Sequence, residues 1–318
     1  MRNAKASAWL LLATTACSSS SSRSENAPPH PRVVETLAHD RNRPASIAVD
    51  GTNVYWIEVG QAFAANGAVM SAPLDGGAPH TIASGRRNPD ALLVVGSDIY
   101  WTDHFAPGQL MRASLDGGAP VTLAAGVSNP TGIAVDATGV YFTASGTVMR
   151  AAEDGGAPTT LASSRDNPTA IAIAGNALYW VESDIPGAVV ELPLDGGTVT
   201  TVAAMESDPT ALAVDSTRVY WTDDTTPGAV AAASLLGGAK PLTLTTSPSG
   251  PLGIAVDKAT AYTTSGNRDG GAIVGVPLDG AAPFTLVGGQ DGPSGVAVDD
   301  TWVYWTNAYA GTVMRASK

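Results

Sequence analysis

The segment PTALAVDSTRVYWTD, residues 209–223, contains the pattern that decides the fold. A proline leads into an apolar run ending at Asp215, a short polar turn follows, and an aromatic stretch then carries Tyr220 and Trp221. The same pattern recurs with its proline at steps of 38 to 45 residues. The seven prolines are Pro44, Pro89, Pro130, Pro168, Pro209, Pro251 and Pro293. Self-similarity at such a period predicts a repeat architecture.

Each unit continues in the same way beyond its aromatic stretch. A third stretch typically opens with a glycine, as at Gly146, and ends at a turn such as Leu74-Asp75-Gly76-Gly77. A fourth short stretch, such as VTLA at 121–124, closes the unit. Short runs rich in Val, Tyr, Trp and Thr between Asp-Gly and Gly-Gly turns indicate antiparallel hairpins. Four strands in a repeat of about 42 residues predict one blade of an all-β propeller.

The number of strands predicts seven blades of four antiparallel strands. The first three strands of the unit occur seven times, but the fourth does so only if VETLA at 34–38 is included. This N-terminal strand would complete the last blade and close the ring, which removes exposed strand edges. The alternative is six blades plus an extra unit. The second residue after each proline is small, as a crowded axis requires: Ser46, Ala91, Gly132, Ala170, Ala211, Gly253 and Gly295.

The start of the chain has the features of a targeting segment. Arg2 and Lys5 precede an apolar run at 6–13 that is too short to span a bilayer, which takes about 20 residues. Cys17 follows, and this arrangement resembles the bacterial lipoprotein signal. The sequence therefore predicts a signal peptide at 1–16, lipidation of Cys17, a Ser- and Pro-rich tether at 17–32 and the propeller at 33–318. The expected location is the bacterial cell envelope, as an outer-membrane lipoprotein or at the cell surface.

Charge and cysteine content exclude several classes of protein. The formal net charge of −12 argues against nucleic acid as a partner, because phosphates require a basic surface. Membrane contact is expected through the lipid anchor alone. Cys17 is the only cysteine, so no disulfide can form within the chain.

The units resemble the YWTD repeat of low-density lipoprotein receptor propellers, with its P-x-x-I-A-V-D, Y-W-T-D and L-D-G elements. The full Y-W-T-D occurs at 100–103 and 220–223. The resemblance covers residues 33–318 and implies a binding scaffold without catalytic residues. Receptor propellers of this family have six blades, so their partner sites are not carried over to this chain.

The position after Y-W-T is the main candidate for ligand chemistry. Around the ring it holds Glu58, Asp103, Ala144, Glu182, Asp223, Ser265 and Asn307. Four carboxylates on one face could hold a cationic ligand or a hard cation such as Ca²⁺. The alternative, which the resemblance implies, is that each acid bonds within its own blade. The Asp residues of the Asp-Gly-Gly turns, and the Asp that ends a first strand, are instead expected to stabilise their own turns by accepting backbone hydrogen bonds. No cofactor is predicted, Ca²⁺ stays the alternative, and the sequence identifies no metal ligands.

The two faces of the propeller differ in their loops. Connections between first and second strands and between third and fourth strands are short and nearly identical, whereas the other connections vary. Variable loops on a rigid scaffold usually carry function. The sequence therefore predicts a face that binds a protein, peptide or glycan and includes Arg86, Arg87, Asp103, His104, Phe105, Glu182, Asp184, Asp223 and Asp224.

Two other functions stay open at this point. Streptogramin lyases and gluconolactonase-type hydrolases have similar repeats, and a metal-dependent enzyme of that kind needs several His, Glu or Asn side chains converging at the axis. Of the four His, only His39 and His104 fall in loops of the candidate face, and no phosphate loop or G-x-S-x-G motif occurs. The sequence favours a non-enzymatic role. A purely structural envelope component is the third possibility.

Overall fold

A computed structural model describes residues 32–61, 64–237, 240–247, 250–266 and 270–318. The predicted signal peptide, Cys17 and all of the tether except Arg32 lie outside the described residues. The described part of the chain consists of strands and their connections, with no helix. The strands are β1 (Val34–Ala38), β2 (Pro44–Val49), β3 (Asn53–Glu58), β4 (Gly67–Pro73), β5 (His80–Arg86), β6 (Pro89–Val95), β7 (Asp98–Asp103), β8 (Gly108–Ser114), β9 (Val121–Val127), β10 (Ile133–Asp136), β11 (Gly139–Ala144), β12 (Thr147–Ala151), β13 (Thr159–Ser163), β14 (Pro168–Ala174), β15 (Ala177–Glu182), β16 (Gly187–Pro193), β17 (Thr200–Glu206), β18 (Pro209–Val214), β19 (Arg218–Asp223), β20 (Gly228–Ser234), β21 (Leu242–Ser247), β22 (Pro251–Val256), β23 (Thr260–Ser265), β24 (Gly271–Pro277), β25 (Phe284–Gln290), β26 (Pro293–Val298), β27 (Trp302–Asn307) and β28 (Thr312–Ser317).

The strands form seven four-stranded antiparallel sheets, which confirms the seven-bladed propeller and excludes six blades with an extra unit. Blades 1 to 6 are β2–β5, β6–β9, β10–β13, β14–β17, β18–β21 and β22–β25 in turn. Blade 7 combines β26, β27 and β28 from the end of the chain with β1 from its start.

The N-terminal strand closes the ring as the sequence predicts. β1 pairs antiparallel with β28, with Val34 opposite Ala316. An ion pair between Arg315 Nη2 and Glu35 Oε2 at 2.5 Å supports this pairing, and the Arg315 guanidinium lies 4.3 Å from the centre of the Trp302 ring. Arg315 Nη1 also donates to the Leu74 carbonyl oxygen of blade 1 at 2.8 Å. One side chain therefore holds both ends of the chain and the neighbouring blade together.

Aromatic residues fill the spaces between the blades. Consecutive side chains of a strand point to opposite sides of its sheet, so the Tyr and Trp of one second strand face different neighbours. Tyr55 of blade 1 packs in one cluster with Trp101 of blade 2, and Tyr304 of blade 7 packs with Trp56 of blade 1. Blade 6 breaks this pattern, because Thr263 occupies the Trp position. A cavity of about 200 Å³ lies there, between blades 5 and 6.

Threonines of the second strands link neighbouring blades near the axis. The Thr306 hydroxyl accepts from the Gly295 amide of its own blade at 3.0 Å and donates to the Ala45 carbonyl of blade 1 at 2.6 Å. The same two bonds recur at four fully buried threonines: Thr102, Thr143, Thr222 and Thr264. Ile57 and Val181 occupy this position in blades 1 and 4. We call the five threonines that make both bonds, including Thr306, the threonine clasps.

The inner strands approach one another closely, as the small residues after each proline predict. A Cβ added at Gly132 would lie 2.4 Å from the Thr169 carbonyl oxygen of the next blade. The seven small positions all line a central cavity of about 400 Å³. Side-chain size at these positions therefore sets the distance between the inner strands.

Candidate binding face

The two ends of the ring are defined by strand register. The pairing of Pro209 with Asp223 places the start of the first strand beside the end of the second. We call this end the loop face and the opposite end the turn face. Connections between second and third strands on the loop face contain two to eight residues, whereas those between first and second strands on the turn face contain two or three.

Three carboxylates on the turn face, those of Asp50, Asp215 and Asp299, are bound within their own turns. Asp215 Oδ1 accepts from the amides of Thr217 and Arg218 at 2.6 and 2.8 Å, and its Oδ2 accepts from the Tyr220 hydroxyl at 2.6 Å. Asp50 and Asp299 make the same set of contacts. Burial raises the pKa of Asp215, but these hydrogen bonds outweigh burial and hold its pKa below the usual value. The sequence interpretation of these residues as turn caps is confirmed.

On the loop face, the residue after Y-W-T has a regular partner 17 positions earlier, at the end of the preceding blade. We call these contacts inter-blade pairs. Six lie wholly within the described residues: Arg41–Glu58, Arg86–Asp103, Val127–Ala144, Arg165–Glu182, Glu206–Asp223 and Gln290–Asn307. The expectation that each acid bonds within its own blade holds only in part. Trp180 Nε1 donates to Glu182 Oε1 within blade 4 at 3.2 Å, but the arginine partners come from the preceding blade, which ends beside the second strand of the next.

Three of the inter-blade pairs are ion pairs. Arg165 Nε lies 2.6 Å from Glu182 Oε1, Arg41 Nη1 lies 3.3 Å from Glu58 Oε1, and Arg86 Nε donates to Asp103 Oδ2 at 3.1 Å. Burial raises the pKa of Asp103, and the Arg86 guanidinium opposes that shift. The guanidinium carbons of Arg86 and Arg165 lie 5.8 and 6.0 Å from the ring centres of Trp101 and Trp180, within range of a cation–π contact.

These contacts define the position of several candidate residues. Asp103 and Glu182 are buried beneath their arginines, so neither carboxylate is open to a ligand while its pair is intact. Arg86 is part of the same packing. Arg87 and Asp184 are exposed, and Phe105 is partly buried with its ring 5.6 Å from the ring of His104.

The pair in blade 5 differs from the others, because Glu206 occupies the position of an arginine. The Glu206 and Asp223 carboxyl groups lie next to each other, and Trp221 Nε1 donates to Glu206 Oε2 at 3.0 Å. Asp223 is only 7 % exposed, and its Oδ1 accepts no hydrogen bond within the described structure. Burial, together with the charges of Glu206 and Asp208, raises the pKa of Asp223 to about 7.

A backbone hydrogen bond lies beside the inter-blade pairs, and blade 5 again differs from blade 4 in the charge of the side chains around it. The amide following the acid donates to the carbonyl of the residue before the proline, as in Ser183 to Asn167 at 3.1 Å and Asp224 to Asp208 at 3.0 Å. The side chains of Asn167 and Ser183 also hydrogen-bond to each other. In blade 5 both corresponding side chains are acids. Burial and the charge of Asp208 accordingly raise the pKa of Asp224.

The central cavity contains one carboxylate, which the sequence reasoning did not select. Asp90 faces the space inside the ring, where the corresponding residues of the other blades are Ala45, Thr131, Thr169, Thr210, Leu252 and Ser294. Asp90 is exposed to this space. Its position inside the ring raises its pKa through loss of hydration, and the charge of nearby His104 opposes the shift. His104 Nδ1 is buried and has no hydrogen-bond partner in the described part of the chain. The sequence did not indicate Asp90, because a single Asp after a proline matches no motif. Its position as the one carboxylate among the described residues of the cavity appears only when the seven blades are compared.

A preformed cation site is not evident on this face. Within the described ranges, no group of three or more His, Cys, Asp or Glu side chains has the arrangement to hold a metal ion. The four carboxylates after Y-W-T lie in separate inter-blade pairs around the ring, and three of them already bind an arginine. In the same described residues, no helix is long and apolar enough to cross a bilayer.

Comparison with known proteins identifies the fold. A chain of a nidogen/laminin complex has a TM-score of 0.58 and 20 % identity, over 74 % of this chain and 93 % of that chain. The WD40 propeller domain of Doa1 has a TM-score of 0.66 and 15 % identity, over 89 % and 95 %. The PQQ-bound aldose sugar dehydrogenase of Streptomyces coelicolor has a TM-score of 0.57 and 13 % identity, over 92 % and 99 %.

These similarities establish a β-propeller and nothing more specific. All three identities are too low to carry function, and the structures include both enzymes and proteins that are not described as enzymes. No family model and no curated protein matches this chain.

Proposed function

We propose that this chain is a non-enzymatic scaffold of the bacterial cell envelope that binds a protein, peptide or glycan through its loop face. Its repeats are similar to YWTD repeats, and lipidation of Cys17 would anchor it to the membrane. The observation that carries the proposal is the contrast between the two faces. On the turn face, Asp50, Asp215 and Asp299 are bound within their own turns. On the loop face, the acids of the inter-blade pairs differ in partner, and Asp223 lies beside another acid where its counterparts have an arginine.

Exposed apolar side chains support a binding role for the same face. Ile185 and Met205 are 76 % and 77 % exposed, and Tyr309 is 52 % exposed. All three lie in or beside loop-face connections. Leu236, on the turn face, shows that exposure alone does not identify a binding surface. The combination of apolar and charged groups in loops of unequal length is typical of a binding surface.

An enzyme would have to be built around Asp90 and His104. The charges of these two residues interact, and Asp90 lines the central cavity. Acyl transfer or elimination requires further groups that bind substrate and stabilise charge. The other positions lining the cavity carry small, hydroxyl or aliphatic side chains. The scaffold proposal therefore has the stronger support.

The test compares matched substitutions on the two faces. Arg87→Ala, Phe105→Ala and Asp184→Ala alter the loop face without removing a member of an inter-blade pair. Asp75→Asn, Asp116→Asn and Asp195→Asn alter the turn face. Affinity capture from envelope extracts is expected to lose its partner with the loop-face set alone, while circular dichroism shows that both sets fold. Loss with the turn-face set alone would contradict the proposal.

A further inference from the structure

The inter-blade pair of blade 5 lacks the positive charge that its counterparts contain. In blades 1, 2 and 4 an arginine neutralises the buried acid. In blade 5, Glu206 takes that place and leaves Asp223 Oδ1 buried without a hydrogen bond inside the described structure. A buried polar atom without a hydrogen bond destabilises the folded state. The pair in blade 5 therefore lacks a positive charge beside its buried carboxyl group.

The neighbouring contact increases the local negative charge. Asp208 and Asp224 occupy the positions of Asn167 and Ser183 in blade 4, so four carboxyl groups lie together at this point. None of the four forms an ion pair within the described residues. Burial is the main reason that the pKa of Asp223 is raised, and repulsion from Glu206 and Asp208 adds to it. A cation supplied from outside would relieve that repulsion.

Two exposed apolar side chains flank this acidic site. Ile185 precedes β16, and the pairing of Gly187 with Glu206 places its loop beside the end of β17. Met205 has a φ of 65°, in the left-handed region where the equivalent positions of blades 1, 2 and 6 have glycine. A methionine there costs backbone energy and gains no burial, since it is 77 % exposed. Its side chain is thus available to a partner.

We propose that Glu206, Asp208, Asp223 and Asp224 bind an arginine side chain of a partner polypeptide, whose neighbouring apolar residues contact Ile185 and Met205. This inference rests on the proposed function and specifies its ligand at one point of the loop face. The planar guanidinium donates to two carboxylates at once, which a lysine ammonium does less well. The chain itself fills the equivalent positions with arginine and stacks two of them near a Trp ring.

The arginine positions of the other pairs are accessible from solvent. The side chains of Arg41, Arg86 and Arg165 are 23, 18 and 24 % exposed. Glu206 is also partly exposed at the corresponding place. An incoming guanidinium would therefore contact Glu206 at the surface, with Asp223 buried behind it. In the other pairs the arginine likewise lies nearer the surface than its acid.

The experiment uses the indole N–H signal of Trp221, whose proton is donated to Glu206. The probe is acetyl-Leu-Arg-Leu-amide, and the control probe replaces arginine with citrulline, which is neutral but similar in shape. The mature propeller is titrated by NMR, with Trp221→Phe used to assign the signal. The arginine peptide is expected to shift this signal saturably, with an affinity at least tenfold greater than that of the citrulline peptide.

Variants separate this site from general attraction to an acidic protein. Glu206→Gln and Asp223→Asn should each weaken binding at least tenfold, and Glu206→Arg, which recreates an internal ion pair, should abolish it. Asp195→Asn removes the same charge on the turn face of blade 4 and should leave the affinity unchanged. Because Glu206→Arg repairs the pair, its loss of binding cannot be assigned to unfolding.

Three results would overturn the inference. These are equal binding of the citrulline peptide, unchanged binding by Glu206→Arg, and a saturable shift with Ca²⁺ alone but not with the peptide. If the arginine peptide fails while loop-face substitutions still abolish partner capture, the proposed function stands and only this ligand is wrong. If neither binding nor partner capture depends on the loop face, both proposals fail.

Discussion

At the scale of single residues, Asp215 and Asp223 show how one side chain type is used in opposite ways within one blade. Asp215 accepts hydrogen bonds from two amides and a tyrosine, which stabilise its charged form. Asp223 is buried beside Glu206 and Asp208, which destabilise its charged form. The two carboxyl groups therefore contribute to stability with opposite dependence on pH.

We expect Asp215→Asn to lower the free energy of unfolding at pH 7 by about 1–2 kcal/mol, because a charged acceptor is lost. The folded-state pKa of Asp215 lies below its ordinary value of 3.8, so its contribution is present above that pH and disappears as the pH falls through the folded pKa. Urea denaturation at pH 7 and pH 3 measures both effects. Tyr220→Phe is the matched variant for the donor. An equal loss at both pH values would contradict the prediction.

Asp223→Asn is expected to have the reverse effect. The folded state binds this proton more tightly than the unfolded chain, so the free energy of unfolding of the parent falls as the pH rises from about 4 to about 7. One pKa unit corresponds to about 1.4 kcal/mol, and the pKa of the neighbouring Glu206 is raised as well. The asparagine variant should thus be more stable than the parent by about 1–2 kcal/mol at pH 8, with little difference at pH 4. A thermal-melting series across this range decides the matter, and a variant less stable than the parent at pH 8 would refute it.

At the scale of elements, the second strand of blade 2, β7, makes three kinds of contact with its neighbours. Tyr100 and Trp101 pack into different clusters, Thr102 bonds to the next blade, and Asp103 enters an inter-blade pair. These contacts follow one another along the strand, so the second strand fixes the angle between blades as well as their packing. Blade 6 lacks the Trp, and a cavity lies at that interface.

Thr222→Val should weaken the connection between blades 5 and 6. The substitution keeps the side-chain shape but removes the acceptor of the Ala211 amide and the donor to the Leu252 carbonyl, each at 3.2 Å. Two buried backbone groups left unsatisfied predict a loss of about 1–3 kcal/mol in chemical denaturation. Val181→Thr, at the same position of blade 4, is the reciprocal control and should cost nothing. Equal losses from both changes would show that side-chain size matters there more than the hydroxyl.

At the scale of the whole molecule, the ring depends on a contact between the two ends of the chain. β1 lies at the outer edge of blade 7, where it covers β28, and Arg315 bonds to both β1 and blade 1. Without β1 the edge of β28 would be open to pairing with another chain.

Deletion of residues 33–38 removes β1 but keeps Arg41 and its ion pair with Glu58. We expect a lower melting temperature and concentration-dependent aggregation, detected by size-exclusion chromatography. Deletion of residues 18–28, ahead of the first strand, is the control and should leave the melting temperature unchanged. A stable monomer after loss of β1 would mean that three strands suffice for blade 7.

The proposed membrane anchor makes a separate prediction for the whole protein. Cys17→Ser should move the exported protein from the membrane fraction to the soluble fraction, because the lipid-bearing thiol is lost. Ser19→Ala is the control and should stay with the membrane. Fractionation followed by immunoblotting measures the distribution. A parent protein that is soluble after export would contradict lipidation.

Much of the fold follows from local rules, which is why the sequence alone determined it. The small residue after each proline, the apolar run and the Asp-capped turn each depend on neighbours within a few positions, and their repetition gave the blade count. The N-terminal strand was predictable because only one copy of the fourth strand was missing from the C-terminal unit. Residues such as Asp215 were correctly interpreted because a turn satisfies its carboxylate locally.

Only the tertiary structure decided the partners of side chains that cross from one blade to the next. The 17-residue spacing between Arg165 and Glu182 is visible in the sequence, but its meaning depends on how closely the end of one blade lies to the next. The same holds for Glu206 and Asp223, and for Asp90 beside His104. These contacts depend on burial and on the angle between sheets, which no pattern along the chain specifies. The period therefore determines the blades, while the packing between blades determines which carboxylates are left without a positive charge.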